Sequence, residues 1–421
     1  MNILLCPLSD GGYLYPAIAA GRELRRRGHR VSLLGRAGAA PVAAEAGLPF
    51  AAAEEFGGQR AFSAARWGRT GLAQYRAVSR AARQTGADLL VTSVLCNGAL
   101  LAAEALDLPV AVIGLSVHLW DYRAGGAGEP QYGRTRENRT AECLALYAAV
   151  REQAGLAGRP SRWPGNPLLG DALLLRGLPE LEYPGAELPE RVHQVGPLPW
   201  EPAADPAELA AVREQVARTG KPVVYVHLGR FFGGGSPWPR LNAAFTGGPF
   251  QAVVEQGRST DPRPDPGADL LLVRKPWLGP LVALSGLVLT SGTSAPVLAA
   301  LLRGRALGVS PNGSEQPLLS GACLRAGVAV HVPRTASPDP AEPIRRAWLD
   351  AGLRGRARAL GRRLAAVKGA ARAADVIERA AQPSAPSRED HGYSISRPGP
   401  GGADAAVGGR AGLDQPALGL S

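Results

Sequence analysis

The sequence predicts an α/β protein whose parallel strands are covered by helices, arranged as two successive halves. Three observations predict this. Short apolar runs alternate with helical patterns along most of the 421 residues. A proline- and glycine-rich stretch from Pro179 to Ala203 interrupts the alternation, which then starts again. In the second half, strands empty through small-residue turns into helices, as βαβ units do.

In the first half, Asn2–Pro7 reads as a buried strand, Ser9–Tyr15 as a loop and Pro16–Arg27 as a helix ended by Gly28. Val31–Leu34 follows as a strand. Ser63–Gln84 reads as helical, and Ala87–Thr92, Ala99–Leu106 and Pro109–Leu115 repeat the strand-helix-strand pattern. Arg134–Ala154 is a further long helix. Pro179–Ala203 reads as an extended connection between domains.

Beyond a helix at Pro206–Arg218, the strand Pro222–Leu228 opens the second half and runs into a glycine-rich loop at Gly233–Gly235. The stretch Asp269–Pro333 then gives the strand Leu270–Val273, the helix Leu278–Leu284 and the strand Leu287–Thr290. The turn Ser291-Gly292-Thr293-Ser294 leads into a helix from about Pro296 to Arg303, and Ala306–Val309 is the next strand. One helix is expected from Ile344 to Ala381. From Gln382 the apolar periodicity stops, and Pro, Gly, Ser, Ala and Arg predict a disordered tail. The expected division is 1–200, 201–382 and a tail at 383–421.

The net charge of +11 comes from 44 arginines against three lysines, Lys221, Lys275 and Lys368. The arginines are scattered rather than gathered with aromatics, which argues against a nucleic-acid surface. Cys6, Cys96, Cys143 and Cys323 are far apart, with no CxxC pair, so neither structural zinc nor a disulfide frame is expected. No secretory signal and no apolar run of membrane-spanning length is visible, and the expectation is a cytoplasmic protein, monomer or homodimer.

In open parallel sheets, ligands bind beyond the carboxyl ends of the strands, where helix N-termini offer free N–H groups to anions. The turn Ser291–Ser294 suits a phosphate on those grounds, or is a tight βα turn without a ligand.

The ordered set of motifs resembles the nucleotide-sugar-dependent glycosyltransferases of the GT-B fold, the group containing macrolide and plant-metabolite enzymes. Gly12, Pro16, Gly28, His29 and Val31 match their first loop and helix. Ala87–Gly114 is similar to their next strand-helix-strand, Pro179–Pro202 to their linker and Pro222–Gly229 to the first strand of their nucleotide-binding half. The resemblance runs from Asn2 to Ala381. It implies two Rossmann-like domains facing across a cleft, with acceptor on the first and nucleoside-diphosphate sugar on the second. The implied reaction is inverting transfer to a natural-product acceptor, without a required metal and with the sugar nucleotide as co-substrate rather than a cofactor.

Carried over by position, Trp277 matches the platform for the nucleotide base, and Ser291, Gly292, Thr293 and Ser294 match the phosphate turn. Glu315 and Gln316 match the pair that holds sugar hydroxyls, and Gly229-Arg230 a pair beside the phosphates, where Arg230 supplies positive charge or points to solvent.

Three departures concern the chemistry. Tyr13 stands where the resemblance implies a catalytic His or Asp, and a phenol is a poor base at neutral pH. Ser93 stands for the carboxylate that orients that His. Ser291 replaces a histidine of the phosphate turn, and Ala299 the ribose-binding Glu. Asp10 and His118 are the substitute candidates for the base, each with a structural alternative, and Trp120 and Tyr122 suit an acceptor pocket. His29 reads as a helix-end residue and His227 as a core histidine. A non-catalytic auxiliary protein and a nucleotide-sugar epimerase on the same fold are the rival readings.

Overall fold

The computed structural model describes residues 1–53, 64–119, 130–163, 165–182, 184–228, 237–255, 263–275, 277–313, 315–333 and 338–382. Gly229, Arg230, the Gly233–Gly235 loop, Trp120, Tyr122 and the expected tail lie outside them.

Two parallel sheets carry the chain. The first contains β1 (Asn2–Cys6), β2 (Arg30–Gly35), β3 (Phe50–Ala52), β4 (Leu89–Ser93), β5 (Val110–Ile113), β6 (Ala172–Leu175) and β7 (Val192–Gln194). Its order is β3-β2-β1-β4-β5-β6-β7. The second contains β8 (Val223–His227), β9 (Gln251–Glu255), β10 (Leu270–Val273), β11 (Leu287–Thr290), β12 (Ala306–Val309) and β13 (Ala329–His331), ordered β10-β9-β8-β11-β12-β13. Strand order reverses between β1 and β4 in one sheet and between β8 and β11 in the other. A crevice opens outside the strand ends at such reversals, so the topology points to residues after Cys6, Ser93, His227 and Thr290.

The strands of both sheets are apolar on both faces because helices cover both. Leu4, Leu5, Val91, Val112 and Leu174 are buried in the first sheet, and Val224, Val253, Val288 and Leu307 in the second. None of the described helices is long and apolar enough to cross a membrane. All four cysteines are free and buried.

Several boundaries differ from expectation. Helix α1 (Gly11–Arg26) starts at Gly11 rather than Pro16, which places Gly12 and Tyr13 in its first turn instead of a loop. Pro16 lies inside it, and its missing N–H leaves the Gly12 carbonyl without the usual helical donor. The middle of the first half adds an unexpected short helix, α2 (Ala40–Glu45), and otherwise follows the expected pattern with α3 (Ala64–Thr85), α4 (Asn97–Leu106) and α5 (Pro130–Gln153). The extended connection contains β7, which pairs with β6 and so belongs to the first sheet.

In the second half come α6 (Pro206–Thr219), α7 (Trp238–Phe245), α8 (Leu278–Leu284), α9 (Ser294–Leu302) and α10 (Gln316–Arg325). The single helix expected at the end is three: α11 (Glu342–Leu349), α12 (Ala351–Ala366) and α13 (Gly369–Ala380). Asp350 makes the first break, accepting from the Leu353 N–H at 2.8 Å as an N-cap. After the second break α13 leaves its own half and packs on α1. Its Ala373, Ala374, Val376 and Ile377 join the core formed by β1 and α1.

Candidate functional site

The two halves meet at their strand ends. In the first half, Leu8 follows β1, and its N–H donates to Ser93 Oγ at 3.0 Å, closing the switch point between β1 and β4. Ser93 Oγ also lies 3.6 Å from Cys96 Sγ. The residue at the carboxylate position is thus a buried pin for the first loop. Asp10 stands directly before α1 in extended backbone, half-buried, and its side chain does not cap the helix. Its backbone carbonyl does that work, accepting from Tyr13 and Leu14 at 2.8 Å.

His118 follows β5 in a loop and is fully buried. Its backbone N–H donates to Glu182, whose other oxygen accepts from Arg136 Nη2 at 3.0 Å. Glu182 and Arg136 are themselves buried, so a buried ion pair fixes the loop behind the cleft. His118 is therefore fully buried, and its backbone is tied to a buried ion pair.

In the second half, the β11 strand ends at Thr290, and the turn Ser291–Ser294 runs into α9. Helix α9 begins at Ser294 rather than near Pro296, which brings the serine into its first turn. Gly292 has φ +89° and donates its N–H to Thr290 Oγ1 at 3.2 Å. A Cβ at 292 would collide with Ser320 Oγ on α10, so glycine is required twice over. Ser291 Oγ, Thr293 Oγ1, Ser320 Oγ and Gln316 Nε2 are buried with no hydrogen-bond partner among the described residues. Buried polar atoms ordinarily find partners, so four unpartnered ones around one turn mark a place built for a polar ligand.

Glu315 and Gln316 sit at the start of α10. Gln316 is fully buried, and its Oε1 accepts from the Asn312 N–H at 2.8 Å, so its amide oxygen holds the preceding loop. Glu315 is also buried. Trp277 precedes α8 and is mostly buried in the core, with Lys275 Nζ 5.8 Å from its ring centroid.

Two hydrogen bonds join the walls. Ser294 Oγ accepts from the Ser116 N–H at 3.2 Å and from the Ser116 hydroxyl at 3.0 Å. Arg176, directly after β6, is buried and donates its Nε–H to the Gly114 carbonyl at 2.8 Å. Burial pushes its guanidinium down to about 10, opposed by the charges of Tyr13 from the first half and Glu315 from the second. One cation thus feels both Tyr13 in the first turn of α1 and Glu315 at the start of α10. Residue-by-residue matching did not find Arg176. Its only signal is a lone arginine ending the apolar run Ala172–Leu175.

The architecture has known counterparts. The glycotransferase of kitacinnamycin superposes with a TM-score of 0.70 at 20% identity, over 90% of this chain and 98% of that one. The calicheamicin glycosyltransferase CalG4 gives 0.64 at 22% identity, over 90% and 98%. The spinosyn rhamnosyltransferase SpnG complexed with thymidine diphosphate gives 0.59 at 20% identity, over 88% and 98%. The fold is GT-B. The likeness is one of fold, and no family model matches the chain.

Within the GT-B frame the two sheets present their switch points to one another. The Asp10–Tyr13 turn, Ser116 and Arg176 come from one side, and the Ser291–Ser294 turn and Glu315 from the other. Among the described residues, no group of three His, Cys, Asp or Glu side chains could hold a metal ion.

Proposed function

We propose that this GT-B protein transfers a sugar from a nucleoside diphosphate to a hydroxyl of a small natural-product acceptor, with inversion and without a required metal. The observation that carries the proposal is the cluster of unpartnered buried groups at the β11–α9 turn: Ser291 Oγ, Thr293 Oγ1, Ser320 Oγ and Gln316 Nε2. Hydroxyls and free N–H groups at a helix N-terminus are what a departing diphosphate needs. Three of the four unpartnered atoms can donate a hydroxyl proton, and the fourth is an amide donor. The Arg176 guanidinium adds positive charge on the facing wall.

In this reading Glu315 accepts hydrogen bonds from the sugar hydroxyls, and Trp277 borders the nucleotide base. Asp10 takes the acceptor proton, because it stands on the cleft side of α1 while His118 is fully buried. Inversion is the outcome expected when the base comes from the first domain and the diphosphate is held by the second, on opposite faces of the anomeric carbon. The related GT-B proteins support the class of chemistry, since SpnG is a rhamnosyltransferase solved with thymidine diphosphate.

The test is release of nucleoside diphosphate from thymidine- and uridine-diphosphate sugars with a panel of hydroxylated acceptors. Asp10→Asn should lower kcat by about 100-fold or more with little change in donor KM, the size expected for a lost general base. Glu315→Ala should cut turnover far more than Asp390→Ala in the 383–421 segment. Equal activity in those two variants would sink the sugar-site assignment.

A second reading is a binding protein that has given up catalysis, favoured by Ser93, whose hydroxyl pins Leu8 where an orienting carboxylate is implied. Tight diphosphate binding with no turnover on any acceptor, with or without Asp10, would favour it.

A further inference from the structure

We infer that His227, held in place by Glu255, is a further binding residue for the donor diphosphate; this rests on the donor reading of the Ser291–Ser294 turn. His227 ends β8, the strand on one side of the second switch point. It pairs in register with Thr290 on β11 and with Glu255 on β9. Residues in register on neighbouring parallel strands share a face, so Thr290, His227 and Glu255 form one row at the carboxyl edge of the sheet. Thr290 Oγ1 accepts the Gly292 N–H, which identifies this face as the one onto which the phosphate turn folds.

The imidazole is fixed from one side. His227 Nε2 lies 3.3 Å from Glu255 Oε2, and the same oxygen accepts the Tyr225 hydroxyl proton at 2.9 Å. The other ring nitrogen, Nδ1, is buried with no hydrogen-bond partner among the described residues. The edge therefore carries Ser291 Oγ, Thr293 Oγ1 and His227 Nδ1, all buried and all unpartnered. A core histidine, the sequence expectation for His227, would have both nitrogens satisfied. This one is a strand-end residue with one nitrogen committed to a carboxylate and one left for a ligand.

The chemistry selects an anion. A ring carrying protons on both nitrogens would donate from Nε2 to Glu255 and from Nδ1 to a phosphate oxygen. The carboxylate behind the histidine fixes its orientation, as carboxylate–histidine pairs do elsewhere. His227 thereby compensates for Ser291. The resemblance implies a histidine in the turn itself, and here the imidazole stands one strand over, beside the residue that precedes the turn. No bond is made or broken at His227. It stabilises charge that grows on the leaving diphosphate.

The experiment is titration calorimetry of the full chain with thymidine diphosphate, uridine diphosphate and the two free nucleosides. In wild type, at least one diphosphate binds. His227→Ala should weaken that diphosphate about 10- to 100-fold, the cost of a charge-assisted hydrogen bond, and leave the nucleoside unchanged. Glu255→Gln keeps the side-chain volume and should weaken the diphosphate about fivefold; it stands as the second variant if His227→Ala does not fold. Equal diphosphate affinity in wild type and His227→Ala overturns the role of His227. Equal weakening of nucleoside and diphosphate also overturns it, because that marks a structural pin. Failure of wild type to bind either diphosphate overturns the donor reading itself and not the His227 geometry.

Discussion

Gly292 shows how one residue fixes the turn. Its φ of +89° lies where other residues are strained, and a Cβ there would meet Ser320 Oγ. Gly292→Ala should destabilise the protein by about 1–3 kcal/mol, the usual cost of a residue held at a strained backbone position. Chemical denaturation should show this as a lower midpoint with an unchanged slope. Ser320→Ala in the same chain should recover only part of the loss, because the backbone strain stays. A second single-residue case is Glu182. Glu182→Ala removes the carboxylate to which buried Arg136 Nη2 donates, and breaking a buried pair costs about 3–5 kcal/mol. Glu182→Ala paired with Arg136→Met should be more stable than Glu182→Ala alone, and a double variant no more stable than the single would refute the ion-pair account.

At the scale of elements, helix α13 depends on a charged contact with α1. Arg27 Nη1 bonds Asp375 Oδ1 at 2.7 Å and Glu378 Oε2 at 2.8 Å, and His29 Nε2 lies 2.8 Å from Glu378 Oε1. Desolvation pushes the Glu378 carboxyl up, but hydrogen bonds from His29 and Arg27 and their charges more than reverse it, leaving it below its ordinary value. On α1 itself, the Arg26 hydrogen bond, against desolvation and with Arg27 assisting, holds Glu23 at about 2. Both folded values are depressed, so the unfolded chain binds these protons first. Their stabilisation is complete above the unfolded carboxylate value and is lost as pH falls through the folded one. Acid titration between about pH 5 and 2 should therefore loosen α13, and Glu378→Gln should remove part of that dependence. Unchanged acid sensitivity in Glu378→Gln would contradict the account.

The same elements show what was legible in the sequence. Runs such as Leu287–Thr290 and Ala306–Val309 gave their strands because continuous apolarity is what a doubly covered strand requires. The three-residue edge strands β3 and β7 were not legible, since pattern arguments need more residues than they contain. Nor was the crossing of α13: an apolar stripe says that a helix buries a face, not which sheet it buries it against. The turn at Ser291–Ser294 was readable from local chemistry. Arg176 and the His227–Glu255 pair were not, because each depends on register or on contacts between residues far apart in the chain.

Across the whole molecule, the seam between Ser116 and Ser294 joins the two halves at the start of α9, and on the proposed function it would tie the state of the cleft to the donor. Ser294 Oγ accepts two hydrogen bonds from Ser116, its N–H and its hydroxyl. A serine hydroxyl has two lone pairs and one proton, so with both lone pairs engaged the proton is left to donate. Closing the halves thus turns Ser294, the first residue of α9, into an oriented donor at the helix N-terminus, where the proposed function puts the diphosphate. Hydrogen bonds in such a chain strengthen each other, and a ligand that prefers the closed arrangement shifts the population toward it. Ser116→Ala removes the hydroxyl bond, keeps the N–H bond and leaves the turn untouched. It should weaken thymidine diphosphate binding about fivefold, the equivalent of about 1 kcal/mol for one neutral hydrogen bond. The rise in Tm at saturating diphosphate should shrink in proportion, because stabilisation by a ligand follows the logarithm of its concentration over Kd. Small-angle scattering should show the wild-type chain more compact with the diphosphate than without it, and Ser116→Ala less responsive. Full affinity and full compaction in Ser116→Ala would show that the seam and the donor site act independently.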